Sequence, residues 1–218
     1  MQNANAPHRP VYELIQSACY YKAHGFIPKR LKVHYLEHYA PKCLDYMRTT
    51  PLTLDELSIR QTVYDFKNGC CPQLVVIELA AGIQKLADDN TVVCFVPASN
   101  AADTERRLRL ISKLLPLITG IPCSLDAIMN LQDGLPGHLY GKKKNPAADF
   151  GIDGSLIKGK RVILIDDIIA GGNTMLSLAS KLKAYGAKEV VGLAYAKDTN
   201  PKYDSLPFCD VEHLEFDL

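Results

Sequence analysis

The 218 residues predict an α/β fold: an open, doubly wound, mainly parallel sheet with an amino-terminal helical appendage. Three observations lead there. From residue 91 onward, short β-branched runs alternate with amphipathic stretches, the pattern of strand–helix–strand units. Val162–Ile165 is four consecutive apolar residues, as a strand covered on both faces requires. Hydrophobic residues make up 47% of the chain, enough for a substantial core and too many for a disordered or collagen-like class.

The elements follow in order. Residues 11–24 read as a helix closing at Gly25. Residues 27–50 fit two patterns, since Leu31, Val33 and Tyr35 alternate while Leu36 and Tyr39 suit helical spacing. Thr53 and Glu56 make a capping box that opens a helix, with Leu54, Leu57, Val63 and Phe66 on one face up to Gly69. A second helix after Pro72 carries Leu74, Ile77, Leu79, Ala81 and Leu86. Thr91–Val96 is a strand ended by Pro97. Asp103 or Thr104 starts a helix with Leu108, Ile111, Leu114 and Leu115 inward, and Pro116 is expected to kink or shorten it. Ile121–Ile128 reads as a strand. A polar, Gly/Pro-rich span runs from Asn130 to Gly159, ahead of the strand Val162–Ile165. Residues 174–185 form a helix closed by Gly186, and Val190–Ala196 a further strand.

Charge is balanced, with 25 basic and 24 acidic residues and a formal net charge of +1, so composition points to neither nucleic acid nor membrane. The distribution is uneven. Residues 1–50 hold seven Lys/Arg against three Asp/Glu, whereas the segment from Asp198 onward is acidic. This predicts either a partner site or two ends that pack together. No apolar stretch is long enough to span a bilayer, and the first residues lack the basic start and apolar run of a signal peptide. Seven cysteines without a Cys-x-x-Cys pair argue against a disulfide framework or a thiolate zinc site and suit a soluble, cytoplasmic protein with free thiols.

The segment that carries chemistry is Val162-Ile163-Leu164-Ile165-Asp166-Asp167-Ile168-Ile169-Ala170-Gly171-Gly172-Asn173-Thr174. Two carboxylates stand at the carboxyl end of a buried strand, where open α/β sheets place ligands. Ala170, Gly171, Gly172 and Asn173 then form a small-residue loop leading into a helix, with backbone N–H groups and the helix dipole suited to an anion, and Thr174 can donate its hydroxyl. Ionised Asp166 and Asp167 cannot face the phosphate but accept hydrogen bonds from sugar hydroxyls. The composite is a site for a phosphorylated ribose. An Asp-rich turn before a Gly-rich helix start is the plain alternative. Neither the Walker A pattern nor Gly-x-Gly-x-x-Gly is present.

These thirteen residues resemble the phosphoribosyl pyrophosphate (PRPP) signature of type I phosphoribosyltransferases: four apolar residues, two acids, two apolar residues, a small phosphate loop and a terminal Ser/Thr. The likeness extends more coarsely over 59–197, nearest the competence-protein-F-like and amidophosphoribosyltransferase-like branch, with Tyr64-Asp65-Phe66-Lys67 at the place of that branch's Lys-containing helix end. The zinc ribbon of that branch is not visible here. The resemblance divides the chain into an amino-terminal helical or hood segment, 1–58, and a phosphoribosyltransferase-like domain, 59–218. It implies PRPP as substrate, Mg2+ arriving with PRPP and no direct protein metal site, a nitrogen acceptor, and a homodimer as commonly found in the family. Asp166, Asp167 and Lys143 take the catalytic roles. Asp166, Asp167, Ala170, Gly171, Gly172, Asn173 and Thr174 bind PRPP. The resemblance also implies that Ala98, Ser99 and Asn100, with Lys142, Lys143 and Lys144 at the place of the family's mobile catalytic loop, take the pyrophosphate.

The chain departs from the family in three places. The loop Pro97–Asn100 has no basic residue, the first being Arg106 and Arg107, which serve either a ligand or a solvated helix face. Ala170 stands where hypoxanthine–guanine enzymes carry an acid, which argues against that substrate class. Gly171 stands where many members present Thr.

Weaker signals are His34, Glu37, His38 and Cys43, a metal-ligand set if 34 and 38 share a helix face, and the aromatic-basic stretch Tyr20–Tyr39, which suits base stacking, a packed layer or an acceptor-binding hood. Two other functions stay open: a non-catalytic PRPP-sensing regulator, with nucleic acid a less favoured partner, and a competence-type DNA-utilisation accessory role.

Overall fold

The computed structural model describes residues 30–131, 150–204, 206 and 208–216. The helix expected over 11–24 and the Lys142–Lys144 loop lie outside them.

Among the described residues, eight strands and five helices succeed one another as β1 (Leu31–Tyr39), α1 (Leu54–Lys67), α2 (Gln73–Leu86), β2 (Thr91–Phe95), α3 (Ala101–Thr119), β3 (Cys123–Ser124), β4 (Ile128–Asn130), β5 (Phe150–Ile152), α4 (Gly154–Ile157), β6 (Arg161–Ile169), α5 (Asn173–Ala184), β7 (Glu189–Asp198) and β8 (Cys209–His213), with short 3-10 turns at Lys42–Leu44 and Pro201–Tyr203. Six strands pair in the order β3-β2-β6-β7-β1-β8, every ladder parallel, and β4 and β5 form a separate antiparallel pair.

Strand alternation sorts the core into two layers. Val93, Phe95, Ile163, Ile165, Leu193 and Tyr195 meet Val63 and Phe66 of α1, Leu79 and Ile83 of α2 and Ile111 of α3. On the opposite face Val92, Leu164 and Ala194 pack on Met175, Leu178 and Leu182 of α5, with Ile128 and Phe150 of the β4–β5 pair. Gly192 lets α5 approach β7: a Cβ there would lie 3.0 and 3.1 Å from the Val33 methyls and closer still to Met175. Buried apolar surface on both faces at roughly 25 cal/mol per Å² is the main force holding these layers.

The amino-terminal assignment needs correction. Residues 31–39 are neither helical nor an appendage but an interior strand between β7 and β8, in register Val33↔Gly192 and Val33↔Val211. The sheet therefore crosses the expected boundary at 58/59. The alternating residues Leu31, Val33 and Tyr35 prevail because β1 has neighbours on both sides. Part of the charge swing along the chain is met by packing of its two regions: Arg30 pairs with Asp210 at 3.0 Å.

Three boundaries also differ. Asn100 caps α3, accepting from the Asp103 N–H at 2.8 Å, so the helix begins before Asp103. It continues past Pro116 to Thr119 and stops at Gly120, whose φ of 72° ends the turn. The strand expected over Ile121–Ile128 is two short pieces, β3 on the sheet edge and β4 in the hairpin-like pair.

Candidate functional site

Strand order creates the site. From β2 the chain moves outward through α3 to β3; from β6 it moves the other way through α5 to β7. β2 and β6 are neighbours, so their following segments diverge on opposite faces. Such a divergence leaves a crevice at the carboxyl ends of the two strands, the place where α/β sheets accept ligands.

The ladder between β2 and β6 stops at Phe95↔Ile165, reinforced by the Val96 N–H donating to the Ile165 carbonyl at 2.8 Å. β6 continues alone on that side, held to β7 as far as Ile169↔Lys197. Asp166 and Asp167 thus lie within β6, not after it, on the stretch whose β2 partner has left.

Their surroundings differ. Asp167 leans to the α1 and α3 face, with a side chain only 10% exposed. Its Oδ2 receives the Arg107 guanidinium from α3, and Lys67 at the end of α1 lies 3.9 Å from its Oδ1. Asp166 is enclosed. Its Oδ1 accepts from the Asp167 N–H at 2.9 Å. Burial, and after it the Asp167 charge, holds the Asp166 carboxyl well above the usual carboxylate range.

The loop from β6 into α5 turns at Gly172, with φ of 70°, a left-handed conformation that favours glycine. A Cβ there would come 3.1 Å from Cys209 Sγ. No side chain caps α5, so nothing on a side chain competes for the N–H groups of its first turn. Those groups and the positive end of the helix suit an anion. Tyr203 flanks this loop, 3.6 Å from where a Gly171 Cβ would sit, so the space beside Gly171 is bounded by an aromatic ring.

Across the crevice, the loop after β2 is braced. The Ala98 N–H donates to Thr104 Oγ1 at 3.0 Å, and the Asn130 amide donates to the Ala98 carbonyl at 3.0 Å. Thr104 Oγ1 also lies 2.8 Å from the Asn100 carbonyl and 3.0 Å from Asn130 Oδ1. Ala98 and Asn100 therefore stand beside the site with polar groups already engaged in shaping the loop, and the half-buried Ser99 lies between them.

The structure thus brings Ala98–Asn100, Asp166, Asp167 and Ala170–Thr174 to one end of the sheet. Of the two arginines, Arg106 pairs with Asp103 at 2.9 Å and donates to the Asn68 carbonyl, while Arg107 turns into the site. Sequence reasoning did not find the roles of Thr104 and Asn130. Asn130 sits in a segment read as a polar span, and nothing local marks it as the post of a loop 32 residues away.

The helical metal set is corrected: on a strand, His34 and His38 lie about 13 Å apart. His38 instead packs on Tyr35 and His213, with ring centroids 5.2 and 5.1 Å away. Among the described residues no group of three or more His, Cys, Asp and Glu converges as metal ligands. None of their helices is long and apolar enough to cross a membrane. A cavity of about 390 Å³ lies against the β1–β8 edge, lined by Arg30, Lys32, His34, Lys197 and Asp210 among others, with Cys209 shared between it and the packing of Gly172.

Residues 136–214 match the family model of the phosphoribosyl transferase domain, a little over a third of the chain. Amidophosphoribosyltransferase of Rattus norvegicus is 50% identical over 44 residues, covering 20% of this chain and 8% of the rat protein, and that of Mus musculus matches equally. This chain thus spans only a small part of the length of these curated relatives. Among solved structures, a hypoxanthine phosphoribosyltransferase from Staphylococcus aureus is 18% identical with a TM-score of 0.41, covering 70% of this chain and 74% of that one. A glutamine PRPP amidotransferase from B. subtilis is 17% identical with a TM-score of 0.37, covering 55% and 26%. The likeness to the phosphoribosyl transferase domain is carried by residues 136–214, the segment holding β6, the acid pair, the anion loop and α5.

Proposed function

We propose that the protein transfers the phosphoribosyl group of PRPP to a nitrogen acceptor and releases pyrophosphate. The observation that carries this reading is the acid pair Asp166–Asp167 on the stretch of β6 that β2 has left, one short turn before a helix N-terminus with no side-chain cap.

In this reading the 5'-phosphate rests on the backbone N–H groups of Ala170–Thr174 and the Thr174 hydroxyl. The ribose hydroxyls donate to the acid pair. The pyrophosphate meets the Ala98–Asn100 loop, and Lys142, Lys143 and Lys144, which lie outside the described residues, are the candidates to counter its charge as it leaves. Mg2+ would arrive with the substrate and would supply neutralisation of the leaving diphosphate. The bond from C1 to the diphosphate oxygen breaks, the bond from C1 to the acceptor nitrogen forms, and the acceptor's proton passes to solvent. The protein positions both partners and stabilises the charge that develops on the diphosphate, so no dedicated general base is required.

The test is incubation with PRPP, Mg2+ and a panel of bases and amines, following pyrophosphate release. Acceptor-dependent turnover that Asp167→Asn abolishes supports the enzyme. A second reading, a PRPP sensor, is favoured by the contact of Asp167 with Arg107 and Lys67, which a bound ribose would disturb. PRPP binding without turnover for any acceptor supports the sensor and overturns the enzyme.

A further inference from the structure

The crevice contains a cation that the loop after β2 does not supply. Arg107 projects from the second turn of α3, the helix that follows the Ala98–Asn100 loop directly. Its terminal nitrogen meets Asp167 Oδ2, and its Nε is buried with no hydrogen-bond partner among the described residues. A guanidinium presents five donors in a fixed fork, and a buried N–H left unmatched is costly. Arg107 is therefore only partly satisfied where it rests. Asp167, in turn, has its carboxylate covered by Arg107 and approached by Lys67, so a sugar hydroxyl donating to Asp167 has to compete with a charged donor.

Resting on the functional reading above, we infer that Arg107 is a two-position cation. Without ligand it is the counter-ion of Asp167; with PRPP it leaves that carboxylate to the ribose and takes the diphosphate. Both halves follow from charge. A diphosphate carries more negative charge than one carboxylate and offers the guanidinium fork a matching pair of oxygens. A ribose hydroxyl arriving at Asp167 replaces the donor that departs. The exchange makes Arg107 selective for ligands bearing a diphosphate at C1: ribose 5-phosphate alone gives Arg107 nowhere to go and must displace it from Asp167.

Calorimetry with Mg2+ present, titrating PRPP, inorganic pyrophosphate and ribose 5-phosphate into the wild type, Arg107→Gln and Arg107→Lys, tests this. Arg107→Gln is expected to bind PRPP and pyrophosphate at least tenfold more weakly, while its affinity for ribose 5-phosphate stays equal or rises because Asp167 has lost a competitor. Arg107→Lys is expected to recover part of the PRPP affinity and to treat ribose 5-phosphate like the wild type. Should Arg107→Gln fail to fold, the lysine variant decides alone, since an equal loss for PRPP and ribose 5-phosphate overturns the assignment. So does a folded Arg107→Gln that weakens all three compounds alike or none of them. A wild type that binds none of the three overturns the functional reading itself, a result distinct from any of these.

Discussion

Arg107 of α3 lays its guanidinium on the carboxylate of Asp167, sixty residues further along the chain on β6. The contact ties together two segments that leave the sheet in opposite directions. It also makes the two adjacent acids unequal: Asp167 has cationic partners, and Asp166 has burial and a neighbouring negative charge.

That inequality predicts opposite stability effects from like substitutions. Asp166 has its carboxyl raised, so its contribution to stability is lost as pH rises through the folded-state value. Asp166→Asn removes an ionisation that folding opposes and is expected to raise the melting temperature at pH 8, the gain shrinking to nothing below about pH 4, where the unfolded carboxyl is also protonated. Asp167→Asn leaves the Arg107 guanidinium, only 21% exposed, short of its counter-ion. It is expected to cost about 1–3 kcal/mol. Both lose affinity for ribose phosphates. Thermal melts across pH, run beside calorimetry, check the pair of signs.

Gly172→Ala is expected to destabilise by about 1–2 kcal/mol, because the position holds φ of 70° and a methyl there presses on Cys209. Phosphate affinity falls with it, since the turn aims the first N–H groups of α5. Gly159→Ala, also at positive φ but with open space around it, is the comparison: similar strain, no loss of phosphate binding.

Asn130→Ala removes the donor that holds the Ala98 carbonyl and a neighbour of Thr104. A loss of about 1 kcal/mol in stability is expected. Binding of inorganic pyrophosphate weakens more than binding of ribose 5-phosphate, because only the loop after β2 loosens. Equal losses for both ligands contradict the bracing role.

A fourth prediction concerns the middle of α2. Burial raises the Glu78 carboxyl, the Glu37 charge adds to it, and Glu78 Oε2 is buried without a partner among the described residues. A raised carboxyl favours the fold only while protonated, so stability declines as pH rises from about 4.5 through its folded-state value. Glu78→Gln is expected to melt at least a degree higher at pH 7 and at the same temperature as the wild type near pH 4. Scanning calorimetry at the two pH values measures this.

The sequence by itself determined the strands that are apolar on both faces, the capped start of α1 and the composite of acids and small residues at 162–174, because each rests on local chemistry: side-chain periodicity, a reciprocal cap, a glycine where φ is positive. It left 31–39 ambiguous, since alternation and helical spacing coexist there and only pairing with β7 and β8 selects the strand. It placed the acids after a strand that in fact runs on to Ile169, because the length of β6 depends on a partner, β7, that lies twenty residues beyond it in the chain. Tertiary structure alone decided which of two adjacent arginines enters the crevice. Arg106 and Arg107 have the same chemistry and differ by about 100° around α3, so the packing of that helix on the sheet chooses between solvent and Asp167.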